Sequence, residues 1–146
     1  MRSITLVVFA TALAALAETK VKMTDLPAVV QKSVQAELKT ATLVGLSKET
    51  EKGKTYYEAE TKLNGKSRDM LFDSTGNVVE IEDEVDMAAL PAAARDAIQK
   101  KVGTGRVTKV EALSKGGKLV AYEAVVLKGT KTSEIAVTPE GAPFRD

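Results

Sequence analysis

Cysteine, histidine and tryptophan are all missing from this sequence of 146 residues. Without cysteine there is no disulfide to staple the fold, no thiol nucleophile and no thiolate metal site. Without histidine there is no imidazole base, and the usual zinc and copper ligand sets are excluded. Aromatic residues make up only 4% of the chain. Past the N-terminal region the core therefore rests on aliphatic side chains with Tyr56, Tyr57, Phe72, Tyr122 and Phe144. No apolar run beyond residue 17 approaches the roughly 20 residues of a membrane-spanning helix. Neither sign of charge dominates, with 21 Lys and Arg against 20 Asp and Glu. The charges are interspersed, so no basic field exists to attract nucleic acid or an anionic membrane.

The nucleophile arrangements that remain are poor. Ser47-Lys48 and Ser114-Lys115 are adjacent pairs in segments that read as strands. Successive strand side chains point to opposite faces, so neither pair can act as nucleophile and base. Gly103-Thr104-Gly105 follows a helical pattern instead of opening one, which makes it a helix stop and not a phosphate loop. No catalytic residue, no cofactor and no dedicated metal site is expected.

The first 17 residues read as a secretory signal peptide. Arg2 is the positive start, Ile4 to Leu16 the apolar run and Ala15-Leu16-Ala17 a small-x-small cleavage site. Glu18 is then the first mature residue. Export with loss of Arg2 leaves 20 basic and 20 acidic side chains.

The remainder is written twice. Leu26-Pro27-Ala28 returns as Leu90-Pro91-Ala92, Leu43 and Leu46 as Val107 and Val110, and Tyr57-Glu58-Ala59 as Tyr122-Glu123-Ala124. Asp69-Met70-Leu71-Phe72 returns as Glu134-Ile135-Ala136-Val137, and Gly76 as Gly141. The offset is 64 residues before Gly116-Gly117 and 65 after it, which one inserted turn residue explains. Internal repetition at this period signals two copies of one structural unit. A unit of about 60 residues is marginal alone, and two can share a core.

Within the first copy, Pro27 opens a helix whose apolar face is Leu26, Val29, Val30, Val34 and Leu38. Thr24 and Asp25 are its cap candidates. Strands follow at 42–51, with a bulge near Gly45, and at 55–63, 66–73 and 77–83. Lys52-Gly53, Asn64-Gly65 and Ser74-Thr75-Gly76 supply the turns. The second copy repeats this with a helix opened by Pro91 and strands at 106–114, 119–127, 131–138 and a short 142–145. The fold class expected is α+β: two tandem units over 18–84 and 85–146, each a helix packed on one face of a four-stranded antiparallel sheet.

The order of Leu-Pro-Ala, Lys-Gly-Lys, Tyr-Glu-Ala and Asp73-Ser74-Thr75-Gly76 resembles the PepSY-like family, also described as beta-lactamase-inhibitor-like. The resemblance covers nearly the whole mature chain and rests on order and repetition. Thr138 stands where the second copy would have the turn aspartate. The resemblance implies an exported, non-enzymatic bacterial protein with two units arranged like those of the secreted beta-lactamase inhibitors. It also implies inhibition of an extracytoplasmic enzyme, a peptidase or a beta-lactamase-like one, by one sheet face and its loops.

Three groups of residues are candidates for chemistry or contact. Glu80, Glu82, Asp83, Glu84 and Asp86 form an acidic run that could bind Ca²⁺ through oxygen, and that reads better as a solvated strand end. Glu58 and Glu60 lie among Lys62, Lys66 and Arg68 and read as exposed cross-strand ion pairs. Ala121, Glu123, Val125 and Leu127, with Ala136 on the next strand, form an apolar patch where the first copy has Tyr56, Glu58, Glu60 and Lys62. This patch is the candidate partner surface, and packing against the other unit or against Phe144 is its structural alternative. The partner expected is another extracytoplasmic protein, with no nucleic acid and no stable membrane insertion. The alternative is an envelope structural or stress protein that binds peptides or Ca²⁺ weakly.

Overall fold

A computed structural model describes residues 18–145. The leader expected over residues 1–17 lies outside them. The element order is β1 (Thr19–Lys20), α1 (Ala28–Glu37), β2 (Thr42–Glu51), β3 (Lys54–Leu63), β4 (Lys66–Asp73), β5 (Val78–Glu84), α2 (Ala92–Val102), β6 (Arg106–Lys115), β7 (Lys118–Lys128) and β8 (Lys131–Val137). All eight strands form one antiparallel sheet in sequence order. The join lies between β5 and β6, where Glu80 pairs with Lys115 and Glu84 with Glu111.

Proline places both helices. Pro27 and Pro91 precede them with φ near −55° and −52°, each after a short 3-10 turn at Met23–Asp25 or Met87–Ala89. Neither helix has a side-chain cap. The Asp25 carboxylate accepts the Lys22 N–H at 2.8 Å instead, so it caps the 3-10 turn and not the helix. Val30 and Val34 of α1 are fully buried in a cluster with Leu26, Leu46, Tyr57, Ala59, Met70 and Phe72. Ala94 and Ile98 of α2 are fully buried in a second cluster with Leu90, Val110, Ala124 and Val137.

Three expectations are corrected. Ahead of the first helix, where no strand is expected, residues 19–20 form an edge strand, with Thr19 opposite Lys48 and Lys20 opposite Ser47. The strand expected over 142–145 is reduced to one bridge, Val137 to Pro143. Proline has no N–H to continue a ladder, and the tail adds only the Phe144 N–H to Ala136 carbonyl bond at 3.1 Å. The extra residue of the second copy is not in the turn. Both hairpins close on two residues, with Glu51 opposite Lys54 and Lys115 opposite Lys118. The pairing then skips Val120, since Ser114 faces Leu119 while Leu113 faces Ala121. A β-bulge absorbs the insertion and returns Tyr122 to register with Ala112, as Tyr57 is with Lys48.

The bulge expected near Gly45 is present, because β2–β3 pairing shifts between Leu43 and Gly45. Asn64-Gly65 adopts φ of 53° and 82°, the positive pair a type I′ turn demands.

Candidate binding face

Strand alternation sorts side chains onto two faces. Tyr57, Ala59, Met70 and Phe72 go to the clustered face through the pairs Tyr57–Phe72 and Ala59–Met70. The intervening residues go to the other face. There Glu58 lies opposite Leu71, Glu60 opposite Asp69, Asp69 opposite Glu82 and Leu71 opposite Glu80. The join carries the pattern onward, with Glu82 opposite Leu113, then Leu113 opposite Ala121, Glu111 opposite Glu123 and Val125 opposite Glu134. One continuous face thus gathers carboxylates from both halves of the chain.

These carboxylates are not ordinary surface charges. Glu58 and Glu111 are each only 5% exposed. Leu71, Leu113 and Ala121 are buried on this face as well. A shallow depression lined by Glu58, Asp69, Leu71, Glu80 and Glu82 lies near its centre. Burial disfavours the charged form of a carboxyl group, and neighbouring carboxylates disfavour it further. Burial, then Asp69, Glu18 and Glu60, push Glu58 up to about 8 against the help of the Ser47 hydroxyl, which donates to it at 3.2 Å. Burial, then Glu111, Glu123, Glu80 and Asp69, push Glu82 up to about 9. Burial, then Glu123 and Glu111, push Glu134 up to about 8. Asp69 rises less, to about 6, because burial is opposed by Lys109 and by a backbone bond from Thr61.

Two lysines are set into the face. Lys115 pairs with Glu80 across the join at 3.2 Å. Lys109 pairs with Glu111 at 2.5 Å. Burial lowers the Lys109 ammonium, but the bond to Glu111 and the charges of Glu111, Asp69 and Glu82 outweigh it and hold it up. Carboxylate oxygens of Asp69, Glu82 and Glu111 all lie within 4.8 Å of one another, and so do those of Glu18, Glu58 and Glu60.

The sequence-based candidates are placed as follows. Glu123, Val125, Leu127 and Ala136 are half-buried on the acidic face, at its β7–β8 margin, and Ala121 is fully buried. Val125 and Leu127 belong to neither buried cluster. Glu58 is not the exposed cross-strand pair expected. It is buried, while Arg68 pairs with Asp83 at 2.6 Å and Lys66 with Asp86 at 3.0 Å. The acidic run is not one solvated strand end either. Glu80 and Glu82 enter the acidic face, whereas Glu84 accepts from the Ser67 N–H and hydroxyl. Asp69 and Glu111 were not singled out from sequence. Only strand order could reveal them, because 42 residues separate Asp69 from Glu111, and the β4–β5 hairpin followed by the helical connection from β5 to β6 brings them together.

An eight-stranded antiparallel sheet with two helices, with carboxylates gathered on one face, defines an α+β protein. No family model and no curated protein matches the chain. Solved structures do. A protein of Bacteroides eggerthii with a proposed periplasmic location superposes with a TM-score of 0.65 at 22% identity, covering 82% of this chain and 86% of that one. A DUF2874 family protein of Bacteroides uniformis gives 0.63 at 23%, covering 82% and 86%. A BLIP-like protein of Bacteroides fragilis gives 0.58 at 20%, covering 82% and 84%. At these identities the likeness is one of fold. No helix among the described residues is long and apolar enough to cross a membrane.

Proposed function

We propose that this chain is an exported, non-enzymatic binding protein that docks on another extracytoplasmic protein through its acidic sheet face. The partner presents a basic segment. The carrying observation is the crowding of Glu58, Asp69, Glu80, Glu82, Glu123 and Glu134 on one face of a continuous sheet. Burial and crowding push several of these carboxyl groups toward the protonated form, and a basic partner that lets them ionise offsets that cost on binding. Charge complementarity also steers encounter and rejects wrong partners. Glu123, Val125, Leu127 and Ala136 are the less polar margin, giving apolar contact beside charge, as protein interfaces do.

Two PepSY-like units, 18–84 and 85–146, make up the mature protein in this reading. Support comes from the matching bulges after Leu43 and Val107 and from the two-residue turns at Lys52-Gly53 and Gly116-Gly117. The periplasmic and BLIP-like neighbours in fold support export, and docking on an enzyme that is inhibited sterically.

The test is capture from periplasm and medium with residues 18–146 as bait, beside a Glu58→Gln/Glu82→Gln/Glu123→Gln variant and a Val125→Lys/Leu127→Lys variant. One stoichiometric extracytoplasmic protein is expected on the unmodified bait, released by raised salt and lost from both variants. Equal recovery on all three baits removes the acidic face from the function.

A second reading, weak Ca²⁺ binding by an envelope structural protein, draws on the Glu18, Glu58 and Glu60 oxygens within 4.8 Å. Calcium must then raise the melting midpoint, since a ligand specific to the native state always does.

A further inference from the structure

The β6 side of the acidic face supplies its own cation in Lys109. Strands β2 and β6 each skip one residue in pairing, between Leu43 and Gly45 and between Val107 and Lys109. Gly45 thus occupies in β2 the place that Lys109 occupies in β6. Glycine offers no ammonium, and the Glu60 carboxylate lies over it, 3.3 Å from where a Cβ would stand. Two residues on, Ser47 stands where β6 has Glu111, and it donates to Glu58.

The N-terminal strand delivers one more carboxylate to this end. Glu18, Glu58 and Glu60 approach within 4.8 Å. Glu49 is 3% exposed, and one of its carboxylate oxygens is buried without a hydrogen-bond donor. Because Thr19 pairs with Lys48, Glu18 stands opposite Glu49. Glu18 adds to the negative charge acting on both Glu49 and Glu58. A buried acceptor without a donor is costly and calls for one. Lys20 and Lys62 border the group from the exposed rim. The position of Glu18 is held by the two β1 pairs and by the Val21 N–H to Leu46 carbonyl bond at 3.1 Å.

We propose that cleavage after Ala17 places the α-ammonium of Glu18 among the carboxylates of Glu49, Glu58 and Glu60, as the counter-cation that Lys109 provides on the other side. In the uncleaved chain that nitrogen is a neutral amide. Hydrolysis of the Ala17–Glu18 bond consumes one water and leaves a carboxylate on the departing leader and an ammonium on Glu18. The ammonium brings three N–H donors, the same chemistry as a lysine. Export and the charge of the binding face are thereby coupled, whatever docks there.

The experiment compares the 18–146 chain carrying a free Glu18 amine with the same chain N-acetylated. The α-amine is titrated by NMR, and both forms are melted across pH. A free α-amine ordinarily titrates near 7.7–8.0, and an upward displacement of roughly one pH unit is expected here. Glu58→Gln with Glu60→Gln should reverse most of it. A raised folded value means that the added stability is complete below the ordinary value and lost as pH rises through the raised one. The free form should therefore melt higher at pH 6, and the two forms should converge above pH 10. An amine that titrates in the ordinary range overturns the proposal, as does a melting difference that persists at high pH. Sequencing of the exported protein that finds a start other than Glu18 overturns it as well. A calcium-induced rise in midpoint that acetylation leaves unchanged assigns the group to a divalent cation and also overturns it.

Discussion

The Lys109 ammonium and the Glu111 carboxylate, two residues apart on β6 and on the same side of the strand, meet at 2.5 Å beside Asp69 and Glu82. Glu111 is buried and Lys109 about two-thirds so. With Lys115 and Glu80, this pair is one of two points at which the acidic face is internally neutralised, and its removal is a direct probe of that face. Lys109→Met should cost about 1–3 kcal/mol, because it strands a buried carboxylate, with the partial exposure of Lys109 keeping the loss below that of a fully buried pair. Urea denaturation at pH 7 measures it. Lys109→Met/Glu111→Leu should recover most of the loss, and a double variant as unstable as the single one would show that packing of the lysine stem, not charge, was lost.

Stability should fall as pH rises from about 4.5 to about 9. Glu58, Glu82 and Glu134 are raised to about 8, 9 and 8, so the folded state holds protons that the unfolded chain releases near ordinary carboxylate values. Their favourable contribution is present at low pH and lost as pH climbs through those values. Asp73 works in the opposite sense. Bonds from the Thr75 hydroxyl, and from Asn77 and Thr75 N–H groups, lower it to about 2, so its contribution is lost as pH falls toward that value. The melting midpoint should peak on the acidic side of neutrality. Glu82→Gln should flatten the alkaline limb, and an unchanged limb would show that Glu82 is not one of the groups holding a proton.

Gly65 and Gly141 allow backbone conformation to be separated from steric clash. Their φ angles are 82° and 85°, so alanine meets nearly the same left-handed penalty, about 1–2 kcal/mol, at either site. Nothing lies within 4 Å of a Cβ at Gly65, whereas one at Gly141 would stand 2.5 Å from the Ala93 carbonyl oxygen on α2. Gly141→Ala should therefore be clearly the more destabilising of the two in parallel melts. Equal losses would mean that the turn can withdraw from α2 freely.

The turns after β4 and β8 share their backbone bonds but not their side chain. The Asp73 N–H donates to Asn77 at 2.9 Å and the Thr138 N–H to Ala142 at 2.8 Å, while Gly76 and Gly141 donate back at 3.0 and 2.8 Å. The Asp73 carboxylate gathers four further bonds, and the Thr138 hydroxyl is buried without a partner. Thr138→Asn can accept from the same backbone donors without adding charge, and should raise stability by about 0.5–1 kcal/mol. A drop instead would indicate that the site lacks room for the longer side chain.

Local patterns decided much of this protein. Pro27 and Pro91 mark both helix starts because proline is compatible only with a helix's first turn. Asn64-Gly65 marks a hairpin because positive φ is cheap for both residues, Gly53 marks another by its glycine alone, and the Tyr57 and Tyr122 segments declare strands by alternation. The absence of cysteine and histidine excludes thiol chemistry and the usual zinc and copper ligand sets by composition alone. Tertiary structure alone decided that β5 joins β6 to make one sheet, that Val120 takes up the extra residue, and that Pro143 cuts the last strand to a bridge. It also made the acidic face. Glu58 and Glu82 look like ordinary charges in the sequence, since nothing local distinguishes a solvated glutamate from a crowded one. Their character comes from strand order, which sets Asp69, Glu82 and Glu111 from three strands side by side and removes the water that would have screened them.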